Sequence, residues 1–299
     1  MTVPNRSRSL LAVAAFTALA AAPAWSSAQT VIGVNAAIRN SVQMKTTSDP
    51  ALRPAVLRGP AHLGDLVVSG PQSTLQVLLR DKSVFTVGAN ARMTLDRFVY
   101  DPNRGTSEVA AAVATGAFRF MSGRSLQGAH RTVISTPVAS IGVRGTIVEG
   151  VAGPQTSDVL AGEAGLPKPS GDTQDATLVV LNGPGKHSQG FDKPGAIDVT
   201  ANGATVAVEH PGQAVLIWGP NQAPFGPFTL SDAALDRLNA LLLPGAGPNP
   251  EAGASIASAA VASGEILGTG DLDPAVTYDP AGVEVPVQIP NLDPRKGDF

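Results

Sequence analysis

Residues 195–210 read GAIDVTANGATVAVEH. At their centre, Asn202-Gly203 tolerates the positive φ angles that a two-residue hairpin turn requires. Apolar and polar residues alternate on both sides of the pair. The predicted hairpin sets Val199 against Val206 and Ile197 against Val208, so one apolar face continues across the turn. Strand pairing therefore organises this part of the chain. Thr177 to Leu181 reads as a preceding strand, and Pro211-Gly212 turns the chain into another at Val215 to Trp218.

The same grammar extends toward the amino end. Leu66 and Val68 share one face of a strand after Gly64-Asp65. Leu75 to Arg80 and Ser83 to Gly88 flank Asp81-Lys82, which predicts a second hairpin with Leu79 opposite Val84 and Leu78 opposite Phe85. Lys82 stands where glycine would tolerate positive φ best, which allows for a longer loop. Met93 to Tyr100 is a further run, closed by Asp101-Pro102-Asn103. Val109, Ala111 and Val113 alternate, and Phe118 and Phe120 flank Arg119. Two more strands, Thr132 to Ser135 and Val138 to Val148, part at Pro137; Gly142 and Gly145 inside the second suggest a bulge or close backbone packing. Residues 150–175, rich in Gly, Pro, Ser and Asp, read as a long loop.

One helix is expected, over 231–243. Ser231 is its N-cap, Asp232 suits the first turn, Leu235, Leu238 and Leu242 have helical spacing, and Pro244-Gly245 stops it. Residues 244–299 hold much Pro, Gly and Ala and few large apolar side chains. They read as a mostly disordered tail, because they bury too little to offset ordering entropy. With 32 Gly, 25 Pro and only 4% aromatic residues, the composition suits a strand-rich fold.

At the amino end, Arg6 and Arg8 precede an apolar run from Leu10 to Ala24 and the small residues Ser26-Ser27-Ala28. This is the pattern of a secretory signal peptide over 1–28, cleaved after Ala28, and the run is shorter than the ~20 residues a membrane span needs. The chain has no Cys, so it carries no lipid anchor on that residue, no disulfide and no thiolate chemistry. No later segment is apolar enough to span a bilayer. Without Arg6 and Arg8, 19 basic residues stand against 24 acidic ones, a balance that argues against nucleic-acid binding. The charge is uneven: 80–144 holds nine basic and four acidic residues, while 246–299 holds two and eight.

Residues 136–146, TPVASIGVRGT, resemble the most specific signature of the FecR domain family. Upstream, GDLVVSGPQSTLQVLLRDKSVFTVGANARMTLDRFVYDP resembles the family's opening block, through Gly64-Asp65, Ser69-Gly70, Ser73, the Asp81-x-Ser83 turn, Gly88 and Leu95-Asp96. Gly116-Ala117-Phe118-Arg119-Phe120 resembles its Gly-x-Φ-Arg-Φ strand. The resemblance covers Gly64 to Val148 and implies a mainly β periplasmic domain, here 29–220, of two packed sheets of jelly-roll or β-sandwich type. In members tied to iron uptake it implies a domain that hears a TonB-dependent transporter and relays the signal through a membrane helix to a sigma-factor-controlling segment. This sequence shows neither an internal membrane helix nor such a segment, so the expectation is a stand-alone, exported form.

Gly142 and Gly145 are expected to serve backbone conformation or packing, and Arg144 between them to be a buried or half-buried cation tied to carbonyls or Asp96. Asp65 and Asp81 are expected to hold turns. Gly116 and Pro137 complete the structural motif residues. Catalytic signatures are missing: His62, His130, His187 and His210 lack ligand spacing, and there is no nucleophile elbow, phosphate loop or calcium loop. No cofactor, metal or nucleic acid is expected. The expected function is a non-enzymatic protein-interaction module in envelope sensing, with an envelope protein as partner and Arg92, Arg97, Arg104, Arg124 and Arg131 as candidate contacts. The alternative is an envelope polysaccharide-binding or surface structural protein, with Trp218 and Tyr100 as the aromatic side chains to inspect; Trp218 reads as core.

Overall fold

The computed structural model describes residues 29–123, 130–169, 171–183 and 195–243, with a short ladder at 277–278 and 284–285. The expected signal peptide and most of the expected disordered tail lie outside the described residues.

The strands in chain order are β1 (Val31–Arg39), β2 (Val42–Lys45), β3 (Arg53–Pro54), β4 (Pro60–His62), β5 (Leu66–Ser69), β6 (Thr74–Leu79), β7 (Val84–Val87), β8 (Arg92–Asp101) and β9 (Thr106–Met121). Then come β10 (His130–Ser135), β11 (Ser140–Arg144), β12 (Ile147–Ala152), β13 (Thr177–Leu181), β14 (Ala196–Ala201), β15 (Ala204–Val208), β16 (Gln213–Ile217) and β17 (Phe225–Thr229). They form two layers. The clad sheet runs β4-β1-β6-β7-β9-β12-β13-β16-β17, and the open sheet runs β3-β2-β5-β8-β9-β10-β11-β14-β15. Among the described residues only the β9–β10 pairing is parallel. The fold is mainly β, as the sequence predicts.

β9 belongs to both layers. Thr106 to Thr115 pairs with β8 in the open sheet, and Gly116 to Met121 pairs with β12 in the clad sheet. Its sequence carries both environments. Val109, Ala111 and Val113 are buried between partly exposed neighbours, as in a strand with one wet face; Ala117 to Phe120 is buried without interruption, as in a strand covered on both sides. The switch falls at Gly116, whose φ is +89°. A Cβ there would stand 2.2 Å from Ala91 Cα, so no side chain fits.

The main core lies between the layers. Phe85, Phe118, Leu75 and Val77 of the clad sheet meet Val67, Met93, Leu95, Ile134 and Ile141 of the open one. Phe85 and Phe120 approach to 5.8 Å between ring centroids. A second core covers the other face of the clad sheet. There Leu178, Val180, Leu216 and Trp218 pack against α1 (Gln155–Val159) and α2 (Asp232–Leu242).

α2 follows its expected bounds. The Ser231 hydroxyl accepts from the Ala234 amide, and Ala234, Leu238 and Leu242 face the sheet. Its last carbonyls are satisfied by the domain: Leu241 O accepts from the Ala89 amide at 2.8 Å, and Leu242 O from the Thr74 hydroxyl at 3.2 Å.

Three local expectations are corrected. The β6–β7 register is Leu78 with Val84 and Val77 with Phe85, one residue from the predicted pairing. The loop is longer by one, with Lys82 at φ +66°. Val138 to Val148 is not one strand: β11 lies in the open sheet, β12 in the clad sheet, and the chain crosses at Gly145, φ +57°. The 150–175 stretch contains α1, whose Val159 enters the second core.

Candidate functional site

The outer face of the open sheet has no covering layer among the described residues. In its centre the register aligns Leu66, Thr94, Ala112 and Ser135 across β5, β8, β9 and β10. Beside Leu66, the short side chains of Thr94, Ala112, Ala114 and Ser135 leave a shallow floor. Thr46, Thr47 and Pro50 raise one wall, and Thr136 and Pro137 the other, to enclose an open groove of about 790 Å³. Lys45, at the end of β2, and Arg92, at the start of β8, line it. Neither forms an ion pair among the described residues.

The candidate arginines do not form one patch. Arg92 reaches the groove. Arg97 pairs with Glu108 at 3.4 Å on the same face, and Arg131 is exposed in register with that glutamate. Arg104 pairs with Asp101 at 3.6 Å in the β8–β9 turn. Arg124 lies outside the described residues. Arg144 is not buried and does not meet Asp96: it is exposed on the open sheet and pairs with Asp198 of β14 at 3.3 Å, because its strand position points outward. Gly142 beside it has ordinary φ and 3.8 Å of clearance, whereas Gly145 has positive φ in open space. Pro137 is exposed at the groove wall.

Asp81 is buried at the β6–β7 turn. Its Oδ1 accepts from the Ser83 amide at 3.0 Å, and its Oδ2 accepts from the Ser107 hydroxyl. Asp65 is buried too, and its Oδ2 accepts from the His62 amide at 2.8 Å, with the imidazole Nδ1 3.4 Å away. Its Oδ1 has no partner among the described residues. Burial pushes the Asp65 carboxyl above its ordinary value, and the His62 contacts oppose the shift without cancelling it.

A pH signature follows. The native state holds a proton on Asp65 that the unfolded chain has already lost, so this group's contribution to stability falls as pH rises from about 3.9 through the raised value. Asp65→Asn keeps an acceptor for the His62 amide and abolishes the titration. Urea midpoints of both proteins should show the wild type losing ground to the variant across that window. Parallel pH profiles would remove the assignment.

Sequence reasoning missed two features. Lys45 sits in a four-residue strand, too short to announce itself. Arg119, noted only as part of a strand motif, forms an ion pair with Glu149 at 2.6 Å beneath α2, both side chains being buried. Asn182 Nδ2 donates to the same carboxylate oxygen at 2.7 Å, and Arg119 Nη2 donates to Asn239 Oδ1 of α2 at 3.1 Å. Trp218 is buried, with its indole N–H donating to Pro167 O at 2.7 Å, so its face is not a sugar platform. No group of three or more His, Asp or Glu side chains is placed to hold a metal among the described residues.

Two sheets sharing one strand, one clad by helices and one open and grooved, define a mainly β module. Residues 65–164, from β5 to just beyond α1, match the family described as FecR protein. No curated protein matches the chain. Among solved structures it is similar to two crystal structures of a candidate anti-sigma factor from Parabacteroides distasonis, at 15% and 14% identity and TM-scores of 0.35 and 0.39. The overlap covers 54% and 59% of this chain and 57% and 63% of those chains, so it spans less than two thirds of their length. Likeness at that level says nothing about a shared partner.

Proposed function

We propose that this chain is a periplasmic, non-enzymatic interaction module in envelope sensing, and that it receives an anionic, extended segment of an envelope protein in the groove of the open sheet. The FecR match supports a signalling role, and the carrying observation is the pair of cations without an ion pair among the described residues, Lys45 and Arg92, above a floor of small side chains. A floor of Thr94, Ala112, Ala114 and Ser135 lets a peptide backbone approach, and the cations select its charge. Export rests on the signal-peptide pattern of 1–28. No helix among the described residues is long and apolar enough to cross a membrane.

The test uses the chain from Gln29, which holds every described residue, as bait on solubilised envelope extract, with mass spectrometry of the eluate. Lys45→Glu with Arg92→Glu is expected to weaken retention of the captured protein about tenfold or more, since two reversed rim charges together exceed ~1.4 kcal/mol. Arg104→Glu, whose partner is Asp101, should leave retention unchanged. Retention indifferent to the groove substitutions in a folded protein, or recovery of glycan alone, would overturn the reading; glycan alone would favour the polysaccharide-binding role.

A further inference from the structure

The groove's charge invites a ligand closer to hand than any partner. Among the described residues, Arg97 pairs with Glu108, Arg104 with Asp101 and Arg144 with Asp198, and exposed Arg131 stands in register with Glu108. Lys45 and Arg92, which line the groove itself, have no ion pair among the described residues. The chain itself supplies what they lack. From Pro244 to Pro294 it carries seven acidic residues and no Lys or Arg.

The place where that tail departs is also informative. α2 ends at Leu242, and the Leu241 carbonyl is bonded to the Ala89 amide. Arg92 lies three residues beyond Ala89, or about 10 Å of extended chain. The described chain at Leu243 therefore ends a few residues' reach from Arg92, although α2 itself lies on the opposite layer. The first carboxylate, Glu251, follows Leu242 by nine residues, enough to reach about 30 Å. Asp271-Leu272-Asp273 further on would set two carboxylates on one face of an extended segment, about 7 Å apart.

We infer that the acidic carboxy-terminal tail of this chain docks in the open-sheet groove, with Asp271 and Asp273 answering Lys45 and Arg92. Tethering makes the contact intramolecular, so an interaction too weak to hold a free peptide still occupies the groove for much of the time. The tail then acts as a built-in competitor that an envelope partner must displace. The inference concerns the same groove as the proposed function, but its test needs no partner.

The protein contains no Cys, so Ala275→Cys takes a single nitroxide label. In the chain from Gln29 the label should broaden the amide resonances of Thr94, Ala112 and Ala114, with core amides such as Val77 unaffected. Lys45→Glu with Arg92→Glu should return those signals to background, and adding Asp271→Lys with Asp273→Lys should restore the broadening. Unchanged core resonances certify that each variant is folded. No broadening in the parent protein, broadening that survives charge reversal, or no recovery on the charge swap would overturn the inference. So would broadening seen only when labelled and isotopically enriched molecules are mixed, which would assign the tail to a second copy. Failure to capture a partner leaves this measurement untouched, and the reverse also holds.

Discussion

Glu149→Ala is expected to destabilise the domain by about 3–5 kcal/mol, the cost of leaving a buried guanidinium without its counter-charge. Glu149 on β12 and Arg119 on β9 are directly opposite residues of neighbouring strands, 1% and 4% exposed. Together with Asn182 and Asn239 they form the one buried ion-pair network of the described residues. A typical domain has only about 5–15 kcal/mol in total, so the loss should be plain in the urea midpoint. Replacing both partners, with Arg119→Met and Glu149→Leu, should recover most of it, because an apolar pair of similar volume carries no unpaired charge. The network also reaches α2 through Asn239, so the single substitution should loosen that helix before the sheets. A loss under about 1 kcal/mol would mean that water enters and relieves the Arg119 charge.

Gly116→Ala is the second large effect, expected at about 3 kcal/mol or more. Left-handed φ costs an L-residue about 1–2 kcal/mol, and overpacking adds about 1–3. Here the added methyl would meet Ala91 backbone and Cβ at 2.2–2.5 Å, none of which can rotate away. Gly145→Ala is the matched control, with positive φ but nothing within 4 Å, and should show the conformational cost alone. Thermal unfolding of the two variants separates strain from clash. Equal losses would refute the close approach at the sheet switch.

The sequence is most legible where the chemistry is local. Asn202 and Gly203 take φ of +46° and +74°, and Val199 faces Val206 as their spacing predicts. Ser231 caps α2 where the pattern places it. Legibility fails where tertiary geometry chooses among local options. At Arg80-Asp81-Lys82 the chain takes a three-residue loop, because Lys82 accepts positive φ and Asp81 is drawn inward to Ser107, a residue 26 positions away. β1 escaped notice because bulges at Val31/Gly33 and Asn35/Ala37 break its alternation. α1 is five residues long, too short for any period to show. Of the site, Arg92 is visible as part of a basic stretch, but its meeting with Lys45 depends on β5 lying between their strands. The Arg119–Glu149 pair joins residues 30 apart in sequence, and only strand register reveals it.

β9 has a consequence for how the chain reaches this state. Its two halves take neighbours from four strands: β8, β10, β7 and β12. Neither sheet has a complete middle until β9 is in place, so a half-built sandwich exposes unpaired edges on both layers at once. Most of its contacts also join residues far apart in the sequence. Such a topology places the rate-limiting barrier late and slow, in the millisecond-to-second regime of high-contact-order β proteins. Nucleation around β9 then commits both sheets together, and the chain folds as a single kinetic unit whose most aggregation-prone moment is the interval before that strand is seated.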